Sequence, residues 1–398
     1  MPALDGIRVL DFTIYQQGPQ ASLVFADMGA DVVKVEAPRF GDLGRVLGST
    51  GEDRFSPYFL ALNRGKRSIT LDLKHPDATT ICLQLAERSD VAIHNYRPGV
   101  MERLGLGYEE MRAVNPRIIY GHASGWGTKG PRAGHPAFDL AAQAQGGLLS
   151  VTGDVDGYPL PAGAAVADYV GAMNLALAVI SALYARERTG EGQKIETSLL
   201  GGQVAMQAWE IQYYIAHRRM GRAGRGHHYL PTIWRVFKTA DSYVVVGGLP
   251  ENRWPAFCEA IGRPEVEHDE RFARYFDRMA HLDELYAMLD EIFLTKSSDE
   301  WMELLKAADC ICAPVANYED LVNDPQVRTN EYIIDVEHPT RGRIPVVGAP
   351  WRFSGTPAEP AAAAPELGQH SEEVLQELGY SWDDIAGLRE RGVLGALE

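Results

Sequence analysis

Short β-branched runs alternate with helical hydrophobic patterns along the first half of the chain. Residues 7–12 (IRVLDF) predict a strand, 21–29 (ASLVFADMG) a helix and 31–36 (DVVKVE) a second strand. The alternation continues with 68–73 (SITLDL), a helix through ATTICLQLAERS, then 91–96 (VAIHNY), a helix near 100–113, and 117–124 (RIIYGHAS). A run apolar on nearly every face, 168–188, predicts a buried helix, and 193–199 (QKIETSL) a further strand. Strands separated by helices in this way join through right-handed crossovers into a parallel sheet with helices on both faces. The expected fold is therefore α/β, a doubly wound, mainly parallel, Rossmann-like sheet.

The pattern changes near residue 200. A helical stretch at 201–217 runs into 218–228 (RRMGRAGRGHH), a basic, glycine-containing segment that reads as a linker. Residues 234–248 predict a hairpin turning at Ala240-Asp241-Ser242, helices follow to about 308, and CICAPV adds a strand. The runs IIDVEHP and RIPVVGAPW predict β-structure returning to the first domain, and Ser381 caps a last short helix, WDDIAGL. The expected division is a large α/β domain from 1–200 plus 331–398, a linker at 201–224 and a smaller α+β domain at 225–330. At 398 residues the chain exceeds what one hydrophobic core usually supports.

Charge and cysteine content narrow the function. A formal charge of −16 argues against a nucleic-acid groove or an anionic membrane surface, while leaving room for a locally basic pocket. Cys82, Cys258, Cys310 and Cys312 show neither a CxxC pair nor zinc spacing, so no metal is expected. Unpaired cysteines fit a reducing cytosol, and the first residues lack the basic and apolar regions of a secretory signal, so a cytoplasmic location is expected. No apolar run reads as long enough to span a membrane; 175–184 is apolar but short. Asp154-Val155-Asp156-Gly157 starts like a calcium loop but lacks the rest, and neither GxGxxG nor a P-loop occurs.

Asp168 stands between a small-residue loop and the apolar helix. Position alone reads it as an N-cap. The same position also offers a carboxylate beside the carboxyl end of a parallel sheet, where ligands bind.

Several blocks in order carry a resemblance to a known family. LDGIRVLDFT with FADMGADVVKVE, LNRGKRSITLDLK, NYRPGVMERLGLGYEEMRAVNPRIIYGHASGWG, FDLAAQAQGGLLSVTG, ADYVGAMNLALAVISAL with RTGEGQKIETSLL, and VGAPWRFSGTP resemble the class III CoA-transferases, of the formyl-CoA:oxalate and carnitine type. The resemblance implies Asp168 as nucleophile and an exchange of CoA between an acyl-CoA and a small carboxylic acid, with no permanently bound cofactor. It implies CoA contacts at Gln16, Gln17, Leu71, Lys74, Asn95, Tyr96, Arg97, Arg103, His135 and Phe138. Pro136 stands where some relatives carry lysine. Asp139 reads either as a second carboxylate near the site or as a helix-start residue, and Gly247-Gly248, with Gly221, Gly224 and Gly226, either as a closing loop or as turns. The family architecture implies a ring-shaped chain in an interlocked homodimer.

Within the same fold, α-methylacyl-CoA racemases carry a catalytic histidine directly before the matching aspartate; here that slot is Phe138, and His135 lies three residues earlier. A hydrolase and a non-catalytic CoA-binding subunit are further alternatives, the latter disfavoured by an intact Asp168 block. No long glycine run of the formyl-CoA transferase sort is present, which counts against oxalate. Arg222, Arg225 and His227-His228 would steer a second carboxylate, favouring succinyl-CoA or another dicarboxyl-CoA as donor, unless the segment is a solvated linker.

Overall fold

The computed structural model describes residues 1–49, 56–154, 157–221, 223–227, 229–230, 232–338, 340–357 and 362–395. In chain order the first elements are β1 (Arg8–Asp11), α1 (Gln17–Asp27), β2 (Asp31–Glu36), α2 (Pro57–Asn63), β3 (Arg67–Thr70), α3 (Pro76–Glu87) and β4 (Val91–His94). They continue as α4 (Val100–Arg103), α5 (Tyr108–Val114), β5 (Ile119–Ser124), α6 (Asp139–Gln145), α7 (Val166–Thr189), β6 (Lys194–Ser198), α8 (Leu199–Met206) and α9 (Ala208–His217). The helix expected near 100–113 is thus two, parted around Gly105, whose φ of 70° is open to glycine at little cost.

Strands β1 to β6 form one sheet in the order β3-β2-β1-β4-β5-β6, every pairing parallel. The chain winds outward from β1 in one direction and then crosses back to β4, so the order reverses between β1 and β4. Such a reversal opens a crevice outside the carboxyl ends of the two strands. The loops that leave there are 12–16 and 95–99.

Contacts divide the chain into two compact units. The larger holds Met1–Gly146, Gly163–Gln207 and Pro325–Glu398. One face of its sheet is covered by α3, α5 and the C-terminal helices, packed through Leu10, Val33, Ile69, Ile81, Leu85 and Met111. On the other, α1 and α7 pack through Val9, Ala21, Val24, Phe25, Ile93, Ile119 and Leu175. Helix α7 is long and apolar enough to cross a bilayer, contrary to the sequence expectation, because it extends beyond the obvious run at both ends. Within the unit its Ala172, Leu175, Ala176 and Val179 are core residues against the sheet.

The smaller unit comprises Gly147–Ala162 and Ala208–Asp324. It contains the hairpin β7 (Trp234–Lys238) and β8 (Tyr243–Gly247), helices α10 (Trp254–Ala260), α11 (Tyr275–Ala280), α12 (Leu282–Phe293) and α13 (Ser298–Ala307), then β9 (Cys312–Pro314) and α14 (Tyr318–Asn323). The three strands pair antiparallel, β8 in the middle. Phe237, Phe257, Phe293 and Trp301 fill its core together with Cys258 and Cys310, which serve as small apolar residues.

The chain then returns to the larger unit as α15 (Pro325–Thr329), the antiparallel pair β10 (Ile333–His338) and β11 (Gly342–Val347), α16 (Ser371–Leu378) and α17 (Trp382–Glu390). Ser381 closes a capping box with Asp384 at the start of α17. Val374, Leu375, Ile385, Leu388, Val393 and Leu394 all enter the core formed with the sheet. The mixed α/β architecture, with a six-strand parallel sheet and a smaller antiparallel sheet, is the fold class expected from the sequence.

Candidate active site

Helix α7 runs antiparallel to the strands. At its far end Arg186 bonds Asp90, just before β4, at 2.8 Å. Its first turns meet Gln17, just after β1: a Cβ built on Gly171 would lie 2.6 Å from Gln17 Nε2. The N-terminus of α7 therefore sits at the carboxyl end of the sheet, with Asp168 in its first turn.

Asp168 is not the cap. The N-cap of α7 is Ala165, which has no side chain to offer, and Asp168 is the third helical residue. The cap comes from elsewhere in the chain. Asp139, the first residue of α6, accepts from the backbone N–H of Ala167 at 2.7 Å and of Asp168 at 3.2 Å through Oδ1. Its Oδ2 accepts from Gln143 Nε2, one turn along α6, at 2.5 Å. Sequence spacing could not show this, because the capping residue lies 28 positions upstream of the N–H it accepts from. Asp139 is thus both helix-start residue and second carboxylate.

The two carboxylates push apart electrostatically. Burial, and then the charge of Asp139, lift the Asp168 carboxyl to about 7. The N-terminal dipole and first-turn amides of α7 pull the other way, but Asp139 already occupies two of those amides. Asp168 thus titrates near neutrality, which is where a carboxylate is both available and nucleophilic.

Gln17, the first residue of α1, meets α7 at Gly171, and Tyr58 on α2 lies within reach of the Asp168 charge. Gln17 is 4% exposed, and its Nε2 has no hydrogen-bond partner among the described residues. An amide N–H donor is therefore held next to α7 one turn after Asp168. Tyr15 meets the ring of Phe138 edge-on at 5.6 Å. Tyr58, on α2, is half-buried; burial, then the charges of Asp168 and Asp42, push its phenol well above its usual range. Tyr15 and Tyr58 escaped the sequence reading, since a tyrosine in a loop and one at a helix start carry no pattern of their own.

Gln16 is half-buried beside Gln17 at the start of α1. Asn95 and Tyr96 leave the end of β4 half-buried, and Arg97 and Arg103 are exposed just beyond. Phe138 and His135 are exposed on the segment before α6. Leu71 is fully buried in the main core and Lys74 exposed after it, so lysine rather than leucine offers a side chain to a ligand. Gly247 and Gly248 end β8 in the smaller unit, Gly248 with φ 64°. Arg225 is paired with Asp290 at 3.0 Å and His227 with Glu210 at 3.2 Å, both in that unit. Arg222, His228, Val155 and Asp156 lie outside the described residues. No group of three metal-ligating side chains occurs among the described residues.

Comparison with known proteins identifies the family. The model of CoA-transferase family III matches residues 4–371. A succinyl-CoA:mesaconate CoA-transferase of Haloarcula hispanica is 36% identical over 391 residues, covering 95% of this chain and 97% of its own. A formyl-CoA:oxalate CoA-transferase of Rhodopseudomonas palustris is 32% identical over 418 residues, covering 98% of this chain and 97% of its own. Among solved structures, a CAIB/BAIF family protein of Brucella suis matches with a TM-score of 0.86 at 30% identity, over 95% of this chain and 99% of the other. The chain belongs to CoA-transferase family III, and it is a CoA-transferase.

Proposed function

We propose that the protein moves CoA between carboxylic acids through covalent intermediates on Asp168, with succinyl-CoA or another dicarboxyl-CoA as donor. One observation carries this reading: a half-buried carboxylate in the first turn of α7, titrating near 7, with a buried amide donor one turn away and its neighbouring backbone amides already capped.

The chemistry follows from the residue type. The Asp168 carboxylate attacks the thioester carbonyl, the C–S bond breaks, and CoA leaves as thiolate from a mixed anhydride. The thiolate then attacks the aspartyl carbonyl and releases the donor acid, leaving an aspartyl-CoA thioester. An incoming carboxylate attacks that thioester and expels the thiolate, forming a second mixed anhydride, and the thiolate attacks its acceptor-side carbonyl with Asp168 as leaving group. New acyl-CoA leaves and the Asp168 carboxylate is restored. Each step passes one activated acyl bond to the next, so no external energy source is needed. Serine in this position would form an ordinary ester and lose that activation. Gln17 Nε2–H is the donor available to a carbonyl oxygen that gains charge during these additions. Lys74, Arg97 and Arg103 would hold the phosphates of CoA, Gln16 would face the reacting carbonyl, and Tyr96, His135 and Phe138 line the approach of CoA.

The donor assignment is supported by the relative named for succinyl-CoA and mesaconate, at 36% identity. In its described residues the chain leaves Leu177 and Tyr184 of α7 each 66% exposed, which supports burial against a second copy in a homodimer. The test is a transfer assay with succinyl-CoA and a panel of mono- and dicarboxylic acids, Asp168→Ala alongside. New acyl-CoA formed by the wild type alone supports the reading; equal transfer by Asp168→Ala refutes it.

A further inference from the structure

The loop that presents Gln16 and Gln17 is held almost entirely by side chains from outside it. Asn95, beyond β4, grips Ile14 twice: Oδ1 accepts from the Ile14 N–H at 2.9 Å and Nδ2 donates to the Ile14 carbonyl at 2.8 Å. Asp42, in the connection after β2, accepts from the Tyr15 N–H at 2.9 Å. Lys34, on β2, donates to the Thr13 carbonyl at 2.6 Å and pairs with Asp42 at 2.9 Å. Asp11, on β1 itself, accepts from the Thr13 N–H at 2.8 Å. Three consecutive residues thus have their backbone groups fixed from several directions, and Tyr15 is kept at φ 63°, a conformation that costs a bulky residue energy.

The charged groups that hold the loop are themselves buried. Lys34 is fully buried and Asp42 is 1% exposed. Around them lie Asp11, Glu36 and Lys66, each 3% exposed or less, with Arg45 bonded to Glu36. Buried ion pairs contribute little net stability compared with apolar residues of the same volume. Of the five buried charged groups, Asp11, Lys34 and Asp42 bond the loop backbone directly, while Lys66 pairs with Asp11 and Glu36 with Arg45, so the loop is tied to a buried charge network and not to apolar packing. The loop they fix ends at Gln17, whose unpartnered amide lies against α7.

We propose that Asn95, Asp42 and Lys34 are positioning residues of the transfer reaction, clamping Thr13–Tyr15 so that Gln16 and Gln17 are presented to the reacting carbonyl. This rests on the reading of Asp168 as nucleophile, because the loop matters only if the carbonyl reacts there. It also assigns Asn95 a different task from a CoA contact: both polar atoms of its amide are spent on Ile14. A clamp acts on the reacting geometry and not on the hold over CoA. Its loss therefore lowers kcat and leaves KM for acyl-CoA nearly unchanged, whereas loss of a CoA contact raises KM.

The measurement is steady-state transfer from succinyl-CoA by wild type, Asn95→Ala, the charge-removing pair Lys34→Met/Asp42→Asn, their combination, and Asp168→Ala. Thermal melting is recorded for each. Asn95 is half-buried at a strand end, so its variant does not depend on the buried pair surviving substitution. A clamp predicts kcat down about tenfold or more in Asn95→Ala, KM within about threefold, and a combined loss smaller than the product of the separate losses, because both act through one loop. Unchanged kcat with KM raised tenfold would overturn the clamp and restore Asn95 as a CoA contact. Should the buried pair fail to fold when replaced, the Asn95→Ala split decides alone. Transfer by Asp168→Ala at the wild-type rate would remove the nucleophile, a failure recorded separately from the behaviour of Asn95→Ala.

Discussion

Asp168 and Asp139 form a pair in which one carboxylate tunes the other. Burial first, then Asp139, raises the Asp168 carboxyl from 3.8 to about 7. Only the anion attacks a thioester, so kcat/KM for acyl-CoA is expected to rise with pH through about 7 and then level. Asp139→Asn keeps an oxygen able to accept from the α7 amides but removes the charge. Its rate profile should have a lower midpoint, and an unmoved midpoint would show that Asp139 does not set it. The same shift bears on stability. The unfolded carboxyl ionises near 3.8 and the folded one near 7, so the folded state holds the proton longer. The stability this contributes is full below about 3.8 and is lost as pH rises through about 7. Asp168→Asn, which cannot ionise, should therefore melt higher than wild type at pH 8, by an amount on the order of 2–4 kcal/mol, and nearly level with it at pH 4. Melting curves at the two pH values check this.

At the scale of elements, the strands were legible because the sheet is parallel and buried on both faces. Such strands read as continuous β-branched runs, and 31–36 was found to the residue. The pairing of small residues across helices was not legible. Gly171 on α7 leaves room for Gln17, and Gly202 on α8 lies close to Gly171, its added Cβ meeting the Gly171 nitrogen at 3.3 Å. Nothing in local sequence distinguishes a glycine that admits a neighbour from one that merely interrupts a helix. Gly171→Ala should displace the Gln17 amide, which is the flexible end of a side chain, with a stability change of about 1 kcal/mol or less. Transfer should nonetheless fall severalfold in kcat. Wild-type kcat in this variant would show that the position of Gln17 is immaterial. The capping of α7 by Asp139 was hidden for a related reason: a tertiary cap has no i, i+3 signature, and the helix start was expected at Asp168 itself, two residues after its actual first residue Val166.

Across the whole molecule, the last segment of the larger unit secures its sheet. Helices α16 and α17 send four buried apolar side chains into the main core and the residues after them two more, Val393 and Leu394, while Arg67 binds Glu373 and Glu377 of α16 at 2.9 and 2.7 Å. The ion pairs are partly exposed and contribute little; the apolar contacts dominate. Leu388→Ala should cost about 2–5 kcal/mol in urea unfolding, and Arg67→Ala considerably less. The return of the chain was visible in IIDVEHP and RIPVVGAPW, but not the depth of α16, which sequence reading passed over. The family resemblance, by contrast, was spread along nearly the entire length, and the match over residues 4–371 reflects that.

In the proposed reaction CoA passes through Asp168. The direct measurement is the mass of intact protein quenched during turnover with succinyl-CoA, followed by peptide mapping. A covalent CoA thioester is expected on the peptide carrying Asp168, lost on adding an acceptor acid and absent from Asp168→Ala. Steady transfer with no adduct on Asp168 at any quench time, or with transfer persisting in Asp168→Ala, would contradict it.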